Sequence, residues 1–233
     1  MKLSSLSLDF SGKVAIVTGG SRGIGRAIAE AFLAAGCDVA ICGRNAPETL
    51  PEANGRRASF HVCDVRKADQ AKAFVDAVAQ AHGRLDVVVN NAGGSPPADA
   101  ATASPRFSEA IIALNLLAPL HIAQAAHRWM SAQPGGGSII NISSVSARRP
   151  SPGTAVYGAA KAGLLNLTQT LAHEWAPAVR INAIVAGLMD ADPAQTEVTY
   201  GSAEVRQQIA DAVPMRRMGR GEDIANAALY LAS

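Results

Sequence analysis

Gly19-Gly20-Ser21-Arg22-Gly23-Ile24-Gly25 lies between two stretches of opposite character. Before it, Lys13-Val14-Ala15-Ile16-Val17-Thr18 is a short unbroken aliphatic run, the signature of a strand buried on both faces. After it, Ile24, Ile28, Ala31, Phe32 and Ala35 recur at helical spacing, and Gly36 is a natural stop. A strand, a glycine turn and a helix in that order commit the chain to crossover connections and a parallel sheet. The turn also has a chemical consequence. Glycine permits a tight turn and lets a pyrophosphate approach the backbone, while the helix N-terminus offers free N–H groups and a partial positive charge. Without a ligand the same turn would be a plain β–α connection.

The pattern recurs down the chain. Asp38–Gly43, Ala58–Cys63, Leu85–Val89, Ser138–Ser144 and Val179–Ile184 read as further strands, and Asp64-Val65 closes the third. Helices are predicted at 67–82, roughly 107–132 with a bend near Pro119, 155–176, 203–212 and 223–232. Residues 45–56 read as a loop with at most a short helix, and 95–106 as a loop rich in Pro, Ala and Ser. The segment 188–214 is irregular and of a length that often covers a site as a lid. No repeat and no second-domain boundary appears. The expectation is a single domain over 1–233: an α/β doubly wound parallel (Rossmann) sheet, strand order 3-2-1-4-5-6. Hydrophobic residues are 48% but aromatics only 4%, so Ala, Val, Ile and Leu must build the core.

Several function classes recede. A formal net charge of +2 argues for neither nucleic acid nor a membrane surface. No run of 18 apolar residues predicts a transmembrane span, and the first ten residues do not read as a secretory signal. Cys37, Cys42 and Cys63 have no CxxC spacing and no paired His. They read as small buried hydrophobes of a cytoplasmic protein, with no metal site.

The chemistry gathers at the predicted strand ends. Where an acid would bind a ribose 2′-OH, the second strand ends in Gly43, followed by Arg44. With Arg22 in the glycine turn, two guanidiniums and no carboxylate favour NADPH over NADH, unless both are solvated surface charges. Asp64 could accept from an adenine amino group or cap the following helix. Asn90-Asn91-Ala92-Gly93 follows the fourth strand, and Asn115 is a polar amide among aliphatic neighbours that needs partners. Tyr157 and Lys161, four apart, share a helix face. A phenol beside an ammonium is a candidate proton donor with a lowered pKa, and Ser144 could meet the same substrate oxygen.

Together these residues resemble the short-chain dehydrogenases/reductases over almost the whole chain. Thr18–Gly25 matches that family's TGxxxGIG turn, Asn90–Gly93 its NNAG element, and Tyr157-x-x-x-Lys161 its YxxxK motif. Ser144 stands thirteen residues before the tyrosine, where the family has its catalytic serine, and Asn115 matches the fourth catalytic member. The resemblance implies hydride transfer between NADP(H) and a ketone or secondary alcohol, with 3-oxoacyl thioesters, steroids and sugar alcohols as candidate substrates. It assigns Tyr157 as proton donor, Lys161 to tune it and hold the nicotinamide ribose, Ser144 to stabilise the oxygen, and Asn115 to hold a relay water. It puts Gly19, Ser21, Arg22, Gly23, Ile24, Gly25, Arg44, Asp64, Val65, Asn91, Ala92, Gly93 and Met189 against the cofactor.

A homodimer or homotetramer is implied as well, and the small-residue face Ala159, Ala160, Ala162 and Gly163 would permit close approach of a second subunit. The rival class is a non-catalytic NADP(H)-binding sensor or scaffold on the same fold. Two departures stand out. The family's Pro-Gly after strand six is here Ala186-Gly187, and its carboxamide-holding Thr is Ala191. The family's usual last strand finds no counterpart among the predicted elements.

Overall fold

In the computed structural model, which describes residues 8–192, 196–197 and 200–233, six parallel strands form the central sheet. They are β1 (Val14–Thr18), β2 (Asp38–Gly43), β3 (Ser59–Val62), β4 (Val87–Asn90), β5 (Gly137–Ser144) and β6 (Val179–Ala186). The spatial order β3-β2-β1-β4-β5-β6 is the expected one. The helices are α1 (Gly23–Ala34), α2 (Ala68–His82), α3 (Pro105–Ile112), α4 (Ala118–Met130), α5 (Ala155–Trp175), α6 (Ala203–Ala212) and α7 (Gly221–Ala232).

The aliphatic runs are unbroken because both faces of the sheet are covered. Side chains alternate along a strand, so Val14 and Ile16 of β1 pack with α2 and α4. Ala15 and Val17 pack on the opposite face with α1 and α7. Small residues let the layers close up. A Cβ at Gly221 would lie 2.6 Å from the Cβ of Ala27, so α7 meets α1 at glycine contact.

The structure departs from the sequence expectation in two places. Within 45–56, Glu52–Ala53 pairs antiparallel with Arg56–Arg57 across Asn54-Gly55. Both turn residues have positive φ (50° and 76°), the geometry for which Asn-Gly is favoured in tight hairpins. The long helix, Pro105–Met130, is apolar enough by composition to cross a membrane, but Ile111, Ala118, Ile122, Ala126 and Met130 are buried in the domain core. Its irregularity is a π-helical turn over Ala113–Leu117, just before Pro119. Pro119 has no N–H to give the Asn115 carbonyl four residues back, and the ladder slips so that Ala118 N–H donates to Ala113 O.

A buried polar network crosses the sheet. Asn90 Nδ2 donates to Asn141 Oδ1 (2.9 Å) and to Pro119 O (3.2 Å), and Asn141 Nδ2 donates to Thr168 Oγ1 (2.9 Å). It links β4, β5, α5 and the first turn of α4, so their spacing at the carboxyl end of the sheet is set by side chains as well as packing. Asn141→Ala should cost about 1–3 kcal/mol, the range for stranding buried polar partners. That corresponds to a fall in Tm of about 3–10 °C for a chain of this size. A thermal melt with unchanged midpoint would show that the network adds no net stability.

Candidate active site

Four glycine-rich or polar strand ends converge at the carboxyl edge of β1, β4, β5 and β6, where ligands bind in open α/β sheets. The turn after β1 is shaped by its neighbours. Gly19 has φ +64°, a conformation that favours glycine. A Cβ at Gly25 would lie 2.3 Å from Gly19 O and 2.4 Å from Asn91 Nδ2, so only glycine fits. The N-terminus of α1 carries no side-chain cap and no acid in its first turn. Its N–H groups and positive dipole end are therefore left for an anion. Ser21, Gly23 and Ile24 complete this turn and are partly exposed. A tight turn that only glycine can make, leading into an uncapped helix start, fits a dinucleotide pyrophosphate.

Asn91 and Ala92 fasten the turn to β4. Both backbone N–H groups donate to Thr18 Oγ1 (3.0 Å each), and Asn91 Nδ2 donates to Thr18 O (3.0 Å) and Gly19 O (3.2 Å). Gly93 is pressed against the catalytic candidates. A Cβ there would lie 2.8 Å from Asn115 Oδ1 and 3.2 Å from Lys161 Nζ. Asn115 is fully buried and fully occupied. Its Oδ1 accepts from Gly94 N (2.9 Å), and its Nδ2 donates to Gly94 O and Ile111 O (3.0 Å each). The side chain is thus a clamp between the π-turn and the strand β4 exit.

The two predicted arginines point to different places. Arg44 is exposed at the end of β2, close enough to Asp64 to lower its pKa. Arg22 is 72% exposed and its Nε lies 3.9 Å from Asp192 Oδ2, toward the segment after β6. Asp64 has a second cation beside it that sequence reasoning missed. Arg66 grips it with both Nε (2.9 Å to Oδ1) and a terminal nitrogen (2.6 Å to Oδ2), and holds its carboxyl below the usual range. The sequence signal was the Asp-x-Arg spacing in a β–α turn. The Val65 side chain is buried in the core beside the end of β3.

Ser144, Tyr157 and Lys161 are brought together by β5, the 3₁₀ turn Val145–Ala147 and the first turns of α5. The Ser144 hydroxyl accepts from Ser146 N (3.2 Å), which fixes its orientation at the strand end. It faces the Tyr157 phenol closely enough to favour its ionised form. Lys161 is buried, and its Nζ donates to Ile142 O (2.7 Å) while lying 5.8 Å from the centre of the Tyr157 ring. Ser143 Oγ donates to Lys161 O (3.1 Å), locking α5 onto β5. Gly158 admits the Ser146 carbonyl, which would lie 2.9 Å from a Cβ there.

The titration of the pair differs from the sequence expectation. Burial pushes the Tyr157 phenol up rather than down, the Ser144 hydroxyl opposes this, and the nearby Tyr200 phenol adds to the rise. Burial also brings Lys161 down to about 8. The expected lowering of Tyr157 fails because desolvation outweighs an ammonium that is itself desolvated and turned to a main-chain carbonyl.

Met189 leaves β6 in a segment without the family proline. The segment is held instead by Gly219, whose carbonyl accepts from Asp190 N (2.7 Å) and whose N–H donates to Leu188 O (2.8 Å). The N–H of Met189 donates to the Tyr200 hydroxyl (3.3 Å). Tyr200 carries no motif and lies eleven residues away in the irregular segment, so nothing in the sequence marked it. Part of the segment, residues 193–195 and 198–199, lies outside the described residues. The expected small-residue face of α5 divides: Gly163 meets the Leu116 side chain of its own chain, which would lie 3.3 Å from a Cβ there, while Ala159 and Ala162 are exposed.

Comparison with known proteins agrees with this geometry. A family model described as enoyl-(acyl carrier protein) reductase matches residues 19–233. The 3-oxoacyl-[acyl-carrier-protein] reductase FabG of Chlamydia trachomatis is 38% identical over 228 residues, covering 95% of this chain and 90% of that enzyme. The 2-dehydro-3-deoxy-D-gluconate 5-dehydrogenase of Escherichia coli is 34% identical over 237 residues, covering 100% of this chain and 92% of that enzyme. The ligand-free structure of Thermoplasma acidophilum aldohexose dehydrogenase superposes with a TM-score of 0.88 at 32% identity, covering 96% of this chain and 88% of that one. The chain therefore belongs to the short-chain dehydrogenases/reductases, nicotinamide-dependent oxidoreductases that act on alcohol and ketone groups.

Proposed function

We propose that the chain is an NADP(H)-dependent reductase or dehydrogenase of a ketone or secondary alcohol, with a 3-oxoacyl thioester as its leading substrate class. The observation that carries the chemistry is the grouping of the Tyr157 phenol with the Ser144 hydroxyl that acts on it and the buried Lys161 ammonium, 5.8 Å from the ring centre. When bound, the nicotinamide supplies a hydride to the carbonyl carbon or accepts one from the alcohol. Tyr157 gives the carbonyl oxygen its proton in reduction and takes it back in oxidation. Ser144 donates to the same oxygen and stabilises the charge that develops there. Lys161 favours the phenolate by its charge and holds the nicotinamide ribose. Asn115 holds a relay water through its main-chain carbonyl, which Pro119 leaves without its usual N–H donor.

Gly19 through Gly25 hold the pyrophosphate, Asp64 and Val65 face the adenine, Asn91 to Gly93 line the ribose side, and Met189 meets the carboxamide. The preference for NADP(H) rests on Arg44, exposed at the end of β2 with no acid at Gly43. Arg66 adds positive charge on the same side. The thioester reading is supported by the 3-oxoacyl reductase among the relatives and by Arg148 and Arg149, exposed just past Ser144, which suit an anionic carrier. Exposed Ala159 and Ala162 on α5 are consistent with a homodimer or homotetramer of a cytoplasmic enzyme.

Tyr157→Phe should abolish NADPH oxidation across a panel of ketones, 3-oxoacyl thioesters and steroids, while cofactor binding persists. Wild-type protein that binds NADPH yet turns over no carbonyl compound would instead favour a sensor. In parallel, Arg44→Asp should move the ratio of NADPH to NADH affinity toward NADH. An unchanged ratio would remove Arg44 from the 2′-phosphate.

Lys161 gives a stability test. Its folded pKa of about 8, against 10.5 for an ordinary lysine, means that holding the charge costs about 3 kcal/mol at pH 7, with roughly 1 kcal/mol recovered in the bond to Ile142. Lys161→Met should therefore be more stable than wild type by about 1–3 kcal/mol at pH 7. Between about pH 8 and 10.5 the unfolded lysine keeps its proton and the folded one has lost it, so wild type gains stability and the gap closes. Denaturant titrations at pH 7 and pH 10 would show this, and a variant less stable at pH 7 would refute it.

A further inference from the structure

Met189 lies just past the carboxyl end of β6, the end of the sheet at which ligands bind. Its N–H donates to the Tyr200 hydroxyl at 3.3 Å. A phenol that accepts from an N–H keeps its own proton free to donate. Tyr200 is also near enough to Tyr157 to act on it electrostatically, so one phenol reaches both the main chain at Met189 and the surroundings of the reacting phenol. It is half-buried and bonded to a segment that Gly219 holds from the other side. Two residues beyond Met189, alanine leaves position 191 without a hydroxyl.

We infer that Tyr200 is a positioning residue for the nicotinamide: its hydroxyl relays the Met189 N–H to the carboxamide and supplies the donor that Ala191 lacks. The inference rests on the reading above that the carboxamide lies at Met189. A carboxamide is planar, with an acceptor on one arm and donors on the other, so one directed hydroxyl fixes which ring face meets the substrate. Polarisation through N–H, hydroxyl and acceptor strengthens each bond in the chain. Tyr200 reaches this place from the irregular segment, so the orientation of the ring depends on how that segment is seated.

The test separates the nicotinamide half of the cofactor from the rest. Dissociation constants for NADPH and for 2′-phospho-ADP-ribose, the same nucleotide without the ring, are measured for wild type, Tyr200→Phe and Tyr200→Phe/Ala191→Thr. Should wild type prefer NADH, NADH and ADP-ribose take their place. Loss of one neutral hydrogen bond should weaken NADPH binding about five- to tenfold in Tyr200→Phe and leave the truncated nucleotide unchanged. Ala191→Thr should restore most of the loss. Equal affinity for NADPH in wild type and Tyr200→Phe overturns the inference, as does tighter binding, which would make Tyr200 a competitor for Met189. A loss shared by both nucleotides overturns it too, and so does a nicotinamide-selective loss that Ala191→Thr fails to restore. Wild type that binds the truncated nucleotide as tightly as the whole one would instead sink the placement of the carboxamide itself.

Discussion

The cleft depends on how the carboxyl end of β4 is tied to the strands beside it. A parallel ladder pairs backbone groups along its length, but at the strand ends the chain turns away and leaves polar groups to be satisfied. Here short side chains do this. The Thr18 hydroxyl accepts from Asn91 and Ala92, and the Asn91 amide reaches back to Thr18 and Gly19. On the other side Asn90 reaches Asn141, and Asn141 reaches Thr168 of α5. An amide suits this task because it donates and accepts over one planar group. The glycine turn, the π-turn carrying Asn115 and the helix carrying Lys161 are thereby referred to one strand end. Cofactor side and proton-transfer side are parts of one hydrogen-bonded frame.

That frame explains what could be read from the chain and what could not. The strands, helices and their order were legible because they rest on local signals: aliphatic runs, helical spacing and glycine at fixed turns. The Ser144, Tyr157 and Lys161 grouping was legible for a related reason, since only thirteen residues separate a strand end from a helix start. The Asn54-Gly55 hairpin was present in the chain as a turn dipeptide, but its two-residue arms are too short to show a period. The π-turn was not legible, because a proline in a helical pattern says that the ladder breaks without saying which residue bulges. Arg66 and Tyr200 escaped for another reason. Their roles are set by which side chains the fold brings near, and neither residue type at its position is unusual for a surface.

The titration of Tyr157 is where local reasoning pointed the wrong way. Four-residue spacing brings an ammonium near a phenol, and in water that would favour the phenolate. Inside the fold both groups lose hydration, and the ammonium is directed to Ile142 O. Desolvation then raises one group and lowers the other. The site is tuned for a state in which further charge is present. The positive charge of an oxidised nicotinamide would favour the phenolate and reset the balance. The free protein carries a buried cation that is poorly compensated, which is the usual conflict between a stable core and a reactive one.

The exit from β6 shows the same logic in backbone form. A proline at position 186 would stiffen this loop locally. This chain has alanine there and is braced instead by a residue far downstream, Gly219. Gly219 bonds both Leu188 and Asp190, and a Cβ on it would lie 2.5 Å from the Met189 sulfur. The two ends of the intervening segment are therefore clipped together at one point. Closing a loop at its base removes much of the freedom its ends would otherwise have. Under the role inferred for Tyr200, cofactor orientation depends on how this clipped segment is seated, whereas a proline and a threonine would fix it locally.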